Sequence, residues 1–226
     1  VSDICRQLYR NAPRIHNELL NRTAISSAAT LARTKLIERI CTNAGEPLLG
    51  LDPAAGVHAA LDAISTTLAE YAAATVEEGA SGLFFAIVKL AREGVLSRSE
   101  YAEFGKPYDL RVLAAVQDAP FNLLHICGAG LRLAPYADYP AHAVNWAPQL
   151  GNLSLSQGRD LFRRTIVGGV DQRGPIVDGT PAEIVAEVRR AIAEMGRTGF
   201  MLGAGCTVPS DIKIENLVLA RQAVVE

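Results

Sequence analysis

The chain has 226 residues, 49% of them hydrophobic and 20% charged, with a formal net charge of −2. That length carries one domain with a sizeable core, and the near-neutral balance excludes an electrostatic basis for gripping nucleic acid or an anionic membrane surface. No apolar run reaches the roughly 18–20 residues of a membrane-spanning helix, and the opening VSDICRQLYRNAPR lacks the apolar core of a secretion signal, so a cytoplasmic protein is expected.

Residues 1–45 carry weak helical patterns, NAGEPLLGLDP (43–53) reads as a loop, and 55–78 is an amphipathic helix with Val57, Leu61, Ile64, Leu68, Tyr71 and Thr75 on one side. From about residue 80 the pattern alternates. Strand-like runs occur at GLFFAIV (82–88), FNLLHIC (121–127), AHAVNWA (141–147), RTIVGGV (164–170) and GFMLGAG (199–205). Helical patterns lie between them at 99–116, 131–137, 154–162 and 181–195, and a last one spans 214–225. The helix at 181 is the best marked: Thr180 suits the N-cap, Pro181 the first position, and Glu183 completes a capping box.

Nearly continuous apolar strands, each followed by an amphipathic helix, predict a parallel sheet covered by helices. Two architectures satisfy this: an open doubly wound sheet, or part of a (β/α)₈ barrel. Both put chemistry at the C-terminal ends of the strands. No linker divides the chain, so 1–226 reads as a single domain, with a helical N-terminal segment (1–47) before the remainder of the chain (48–226).

His125 and Cys127 lie two apart on one predicted strand and so leave the same face. Cys206 follows the last strand, in GAGC. If the strand ends share a rim, one imidazole and two thiolates form a zinc-type ligand set with a fourth position open, the mark of a catalytic site. The alternative from the same residues is a small apolar cysteine and a hydrogen-bonded core histidine. Cys5, Cys41, Cys127 and Cys206 lack the spacing of a disulfide framework and read as free thiols or ligands.

Gly128, Gly169 and Gly205 sit at strand C-termini, where glycine lets the backbone approach a bound group or simply makes a turn. None belongs to a phosphate-loop or dinucleotide fingerprint. Asn145, Trp146, Asp171 and Gln172 are further rim candidates. Asp171 reads as a ligand-orienting or proton-moving carboxylate or a loop cap, and Trp146 as a pocket wall or core. Lys89 and Arg92 could meet an anionic substrate or face water.

The segments EEGASGLFF, YAEFGKPYDLRVL, LLHICG, VNWA, TIVGGVD, GTPAEIVAEVRRAI and GFMLGAGCTVPSDIKIENLVLARQAV occur in an order that resembles the uroporphyrinogen decarboxylase superfamily. The resemblance covers about residues 48–226. It implies a (β/α)₈ barrel whose fourth to eighth strands these five would be, hence an α/β, partial TIM-type barrel of about five parallel strands preceded by an N-terminal helical segment. Counterparts of the first three strands are not apparent in the sequence, nor are the Arg-rich segment and the Asp that decarboxylating members carry there. The Gly-His-Gly turn of that branch reads GAGC here, and its Asp-Ser-Trp segment reads AIVKL.

In the corrinoid-linked methyltransferase branch a His-x-Cys and a distant Cys hold zinc, and His125, Cys127 and Cys206 match that pattern. The resemblance therefore implies an enzyme that transfers a methyl group from a methylated corrinoid, supplied by a partner corrinoid protein, to a small-molecule thiol. The alternative it leaves is decarboxylation of a tetrapyrrole, uroporphyrinogen III, in porphyrin biosynthesis. A third expectation is an assembly module: two unpaired sheet edges call for self-association into a homo-oligomer or for a strand-donating partner.

Overall fold

A computed structural model describes residues 53–225 of the chain. The helical reading of 1–47 lies outside the described residues. The elements run α1 (Pro53–Glu77), β1 (Phe84–Val88), α2 (Arg98–Phe104), α3 (Lys106–Ala114), β2 (Leu123–Cys127), β3 (Ala143–Asn145), α4 (Leu155–Phe162), β4 (Thr165–Val170), α5 (Pro175–Asp178), α6 (Pro181–Met195), β5 (Phe200–Ala204) and α7 (Ile214–Val225), with short 3₁₀ turns at Ala134–Tyr136 and Pro148–Leu150.

All five expected strands form. They build one parallel sheet in the order β1-β2-β3-β4-β5. That order decides between the two architectures left open by the sequence. A doubly wound sheet reverses its strand order at a switch point, whereas here every strand lies beside its predecessor, as in a barrel wall. The fold is α/β, a partial TIM-type barrel. Its outer face is packed against helices, with Phe85, Ile87, Leu124, Ile126, Val144 and Ile166 fully buried. On the other face Phe84 and Met201 are each 47% exposed, so this inner face is only half covered among the described residues.

Helix boundaries follow local chemistry. The pattern expected over 99–116 divides in two at Gly105, which ends α2 and caps α3, and Pro107 follows in the first turn of α3. Without an N–H, proline cannot continue the earlier helix's bonding. The 131–137 pattern shrinks to a single turn, with Pro135 inside it and Pro140 just beyond. Capping boxes start α2 (Ser97/Glu100), α4 (Ser154/Gln157) and α6 (Thr180/Glu183). The buried stripe of α1 is Val57, Leu61, Ser65, Leu68 and Ala72, while Tyr71, placed on the core side by periodicity alone, is 41% exposed.

The main core joins α1–α4 to the sheet, and a second apolar cluster ties Val170 and Ile176 to α6 and α7 through Ile184, Val188, Ala220 and Ala223. Between α2, α3 and the 134–136 turn, the hydroxyls of Tyr101 and Tyr139 donate to Asp109 Oδ2 at 2.8 and 2.9 Å, and also meet each other. No helix among the described residues is long and apolar enough to cross a membrane.

Candidate metal centre

The side chains of His125 and Cys127 leave the inner face of β2, because alternate residues of a strand point the same way. Register places His125 between Ala86 of β1 and Asn145 of β3. The ring of Phe84 stacks on the imidazole, centroids 5.3 Å apart and planes 28° apart. Cys206 arrives from the far side of the sheet, where Gly205 donates its N–H to Val170 O at 2.9 Å. A Cβ on Gly205 would stand 2.7 Å from Ala147 Cα. Glycine therefore lets the chain leaving β5 press against the end of β3, which brings Cys206 over the mouth.

The three ligand atoms meet. Cys127 Sγ and Cys206 Sγ are 3.5 Å apart, Cys206 Sγ and His125 Nε2 are 3.5 Å apart, and all three lie within 4.8 Å of one another. His125 is buried, the two thiols half-buried. Behind the ring, His125 Nδ1 is 2.6 Å from Asn145 Oδ1. The contact with Cys127, then that with His125, together with the N–H of Thr207, holds the Cys206 thiol well below its ordinary range. The bond to Cys206, then burial, pushes the Cys127 thiol up, with Arg92 opposing. The two shifts run in opposite directions because they come from the same sulfur–sulfur contact, so the thiols titrate as a coupled pair.

This donor set suits a soft ion. Tetrahedral ligands about 2.0–2.3 Å from zinc stand roughly 3.3–3.8 Å apart, and the two measured separations fall inside that range. Among the described residues no other group of three such side chains converges.

The remaining candidates divide. Gly128 lies at the mouth with φ +130°, its carbonyl accepting from Asn152 Nδ2 at 2.8 Å. At Gly169, with φ +101°, a Cβ would strike Ala191 of α6 at 2.6 Å, so glycine here permits close helix–sheet packing. Trp146 is a correction. It follows Asn145, so its side chain leaves the opposite face of β3, where it is fully buried against Phe162 and donates Nε1–H to Leu153 O at 2.9 Å. It cannot line the mouth. Asp171 is half-buried and caps its own loop, Oδ1 accepting from Arg173 N at 2.9 Å.

Gln172 is 6% exposed, and a Cβ on Gly205 would lie 3.1 Å from its Oε1. Lys89 is exposed, at φ +68°. Arg92 reaches the Gly128 loop, with Nε donating to Ala129 O at 3.3 Å. The sequence reading did not single out Glu187, a helix residue 8% exposed whose Oε1 accepts from Asp171 N at 3.1 Å and whose carboxyl burial pushes up. Its signal was a charged residue one position before Val188, on the inward stripe of α6.

A one-way parallel sheet with an imidazole and two thiols converging at its C-terminal mouth defines a (β/α) barrel-type protein with three side chains of metal-ligand type at that mouth. The comparisons carry this to a family. Residues 49–226 match the family model described as Uroporphyrinogen decarboxylase (URO-D), and the chain belongs to the uroporphyrinogen decarboxylase family. It is 29% identical over 162 residues to a uroporphyrinogen decarboxylase of Syntrophotalea carbinolica, covering 69% of this chain and 44% of that protein. Among solved structures it resembles a methyltransferase from Methanosarcina mazei with a TM-score of 0.62 and 24% identity, over 73% of this chain and 47% of the other, which shows a shared fold. The chain spans less than half the length of either relative.

Proposed function

We propose that His125, Cys127 and Cys206 hold a zinc ion and that the site activates a small-molecule thiol for methylation, the methyl group coming from a methylated corrinoid carried by a partner. The observation that carries this reading is the convergence of one imidazole nitrogen and two sulfurs on the open mouth of the sheet, Cys206 Sγ standing 3.5 Å from each of the other two and all three within 4.8 Å of one another. Three protein donors leave one tetrahedral position for an incoming ligand. Zinc would supply deprotonation of a thiol bound there at neutral pH, and the thiolate is the nucleophilic form.

The chain's own part is preorganisation. The contact with Cys127, then the His125 ring and the Thr207 N–H, favour the anionic form of Cys206 before any ion arrives, so less proton release accompanies binding. Arg92 offsets charge beside Cys127. Phe84 covers one flank of the imidazole and limits water there. In that reaction a sulfur–carbon bond would form, the carbon–cobalt bond would break with its electron pair left on the corrinoid, and the thiol's proton would go to solvent.

Metal analysis of the purified protein tests this. Stoichiometric zinc is expected in the wild type and loss of it in His125→Ala and Cys206→Ala. A folded wild type that takes up no zinc would end the reading. The similarity to a uroporphyrinogen decarboxylase favours a second reading, tetrapyrrole decarboxylation without a metal. Carbon dioxide release from uroporphyrinogen, unchanged in Cys206→Ala, would favour it over the first.

A further inference from the structure

We infer that Asn145 is a positioning residue that keeps a hydrogen on Nδ1 of His125 and thereby presents Nε2, with its lone pair, to the mouth. Asn145 is 4% exposed and sits beside His125 in register. Its Nδ2 lies 2.8 Å from Val167 O and 3.1 Å from Ala204 O, carbonyls of β4 and β5. Carbonyl oxygens only accept, so the amide nitrogen must face them. The flipped amide would set Oδ1 against two buried carbonyls and lose both bonds, at a cost of roughly 1–3 kcal/mol for each unsatisfied group. The amide orientation is thus fixed by two strands that do not carry the histidine.

With Nδ2 so engaged, Oδ1 is the atom facing His125, at 2.6 Å from Nδ1. Oδ1 accepts and cannot donate, so Nδ1–H donates to it. In the neutral ring the lone pair then falls on Nε2, which is the atom 3.5 Å from Cys206 Sγ. One amide links four strands, β2 to β5, to the choice of a single ring nitrogen. A partner of this kind on a ligating histidine orients the ring and raises its basicity, and its loss costs about 10–100-fold in metal affinity. That last consequence rests on the zinc reading; the position of the hydrogen does not.

The test records the ring nitrogens of His125 by NMR in the metal-free protein at mildly alkaline pH, and separately titrates zinc against a chromophoric chelator. The wild type should show Nδ1 protonated. Asn145→Ala removes the acceptor, so Nδ1 should lose its hydrogen in a large fraction of molecules and zinc affinity should fall about 10–100-fold. Asn145→Asp keeps an acceptor while losing both donations to β4 and β5, so it should retain Nδ1–H and bind zinc more tightly than the alanine variant. A purely strand-tying role predicts that both variants fail alike. Nδ1 without hydrogen in the wild type, or Nδ1–H undiminished in Asn145→Ala, would overturn the assignment. Nδ1–H in a wild type that binds no zinc would leave it standing and remove the zinc reading instead.

Discussion

His125 and Asp109 are both buried ionisable side chains, 5% and 1% exposed, yet they are held in opposite ways. His125 has a partner behind it and two half-buried thiols in front, at the open end of the sheet. Asp109 is closed in by aromatic rings: Oδ2 takes two tyrosine hydroxyls and Oδ1 takes none. Lys106, beside that pocket, is engaged with Asp138 and lies 5.9 Å from the Tyr139 ring centroid. Burial, partly offset by the hydroxyls, pushes the Asp109 carboxyl up to about 7, and pushes the Tyr101 and Tyr139 phenols above their ordinary range. Burial with an unused donor atom facing an opening makes a site; burial without an opening makes a pH-dependent strain on the fold.

The largest effect separates the two regions outright. Cys206→Ala should abolish stoichiometric zinc while changing the thermal midpoint of the metal-free protein little, because a half-buried sulfur contributes little packing. Elemental analysis beside a melting curve reads both at once; a variant that melts far earlier would show that the mouth is structural.

At Asp109 the carboxyl rises from 3.8 to about 7 on folding. Between those values the folded state holds the proton and the unfolded state does not, so stability is full below about pH 4 and falls as pH rises to about 7. The loss is on the order of 4 kcal/mol. Urea denaturation across that window should show the decline, and Asp109→Asn should flatten it with zinc stoichiometry unchanged. A wild-type profile as flat as the variant's would break the contrast.

Two outer-face substitutions serve as controls that should leave zinc binding untouched. At Gly158 an added Cβ would stand 2.0 Å from Trp146 Cη2. Alanine gains about 1 kcal/mol of helix propensity, but overpacking costs about 1–3 kcal/mol, so Gly158→Ala should destabilise on balance in a denaturant titration. Thr180→Ala removes the hydroxyl that accepts from Glu183 N, and about 1 kcal/mol should go with it. Altered zinc uptake in either would mean that the mouth depends on the outer shell.

The strands, the capped helix at 181 and the His-x-Cys pairing on one face were legible because each is local: short, nearly continuous apolar runs, an N-cap three residues before a glutamate, and side chains two apart on a strand. The triad itself required the resemblance as well, since 79 residues separate Cys127 from Cys206 and no local pattern spans them. Trp146 went to the core because the strand face flips at every residue, and at Asn145 the inward face had already been taken. Asp171 was spent on its own turn, and Gly169 on Ala191.

By itself the sequence determined the elements, because hydrogen-bond periodicity and caps act over a few residues. Only the tertiary structure decided the one-way strand order, the approach of Gly205 to Ala147, and the amide orientation of Asn145. Each of these depends on contacts between segments far apart in the chain, and close packing leaves them a single solution.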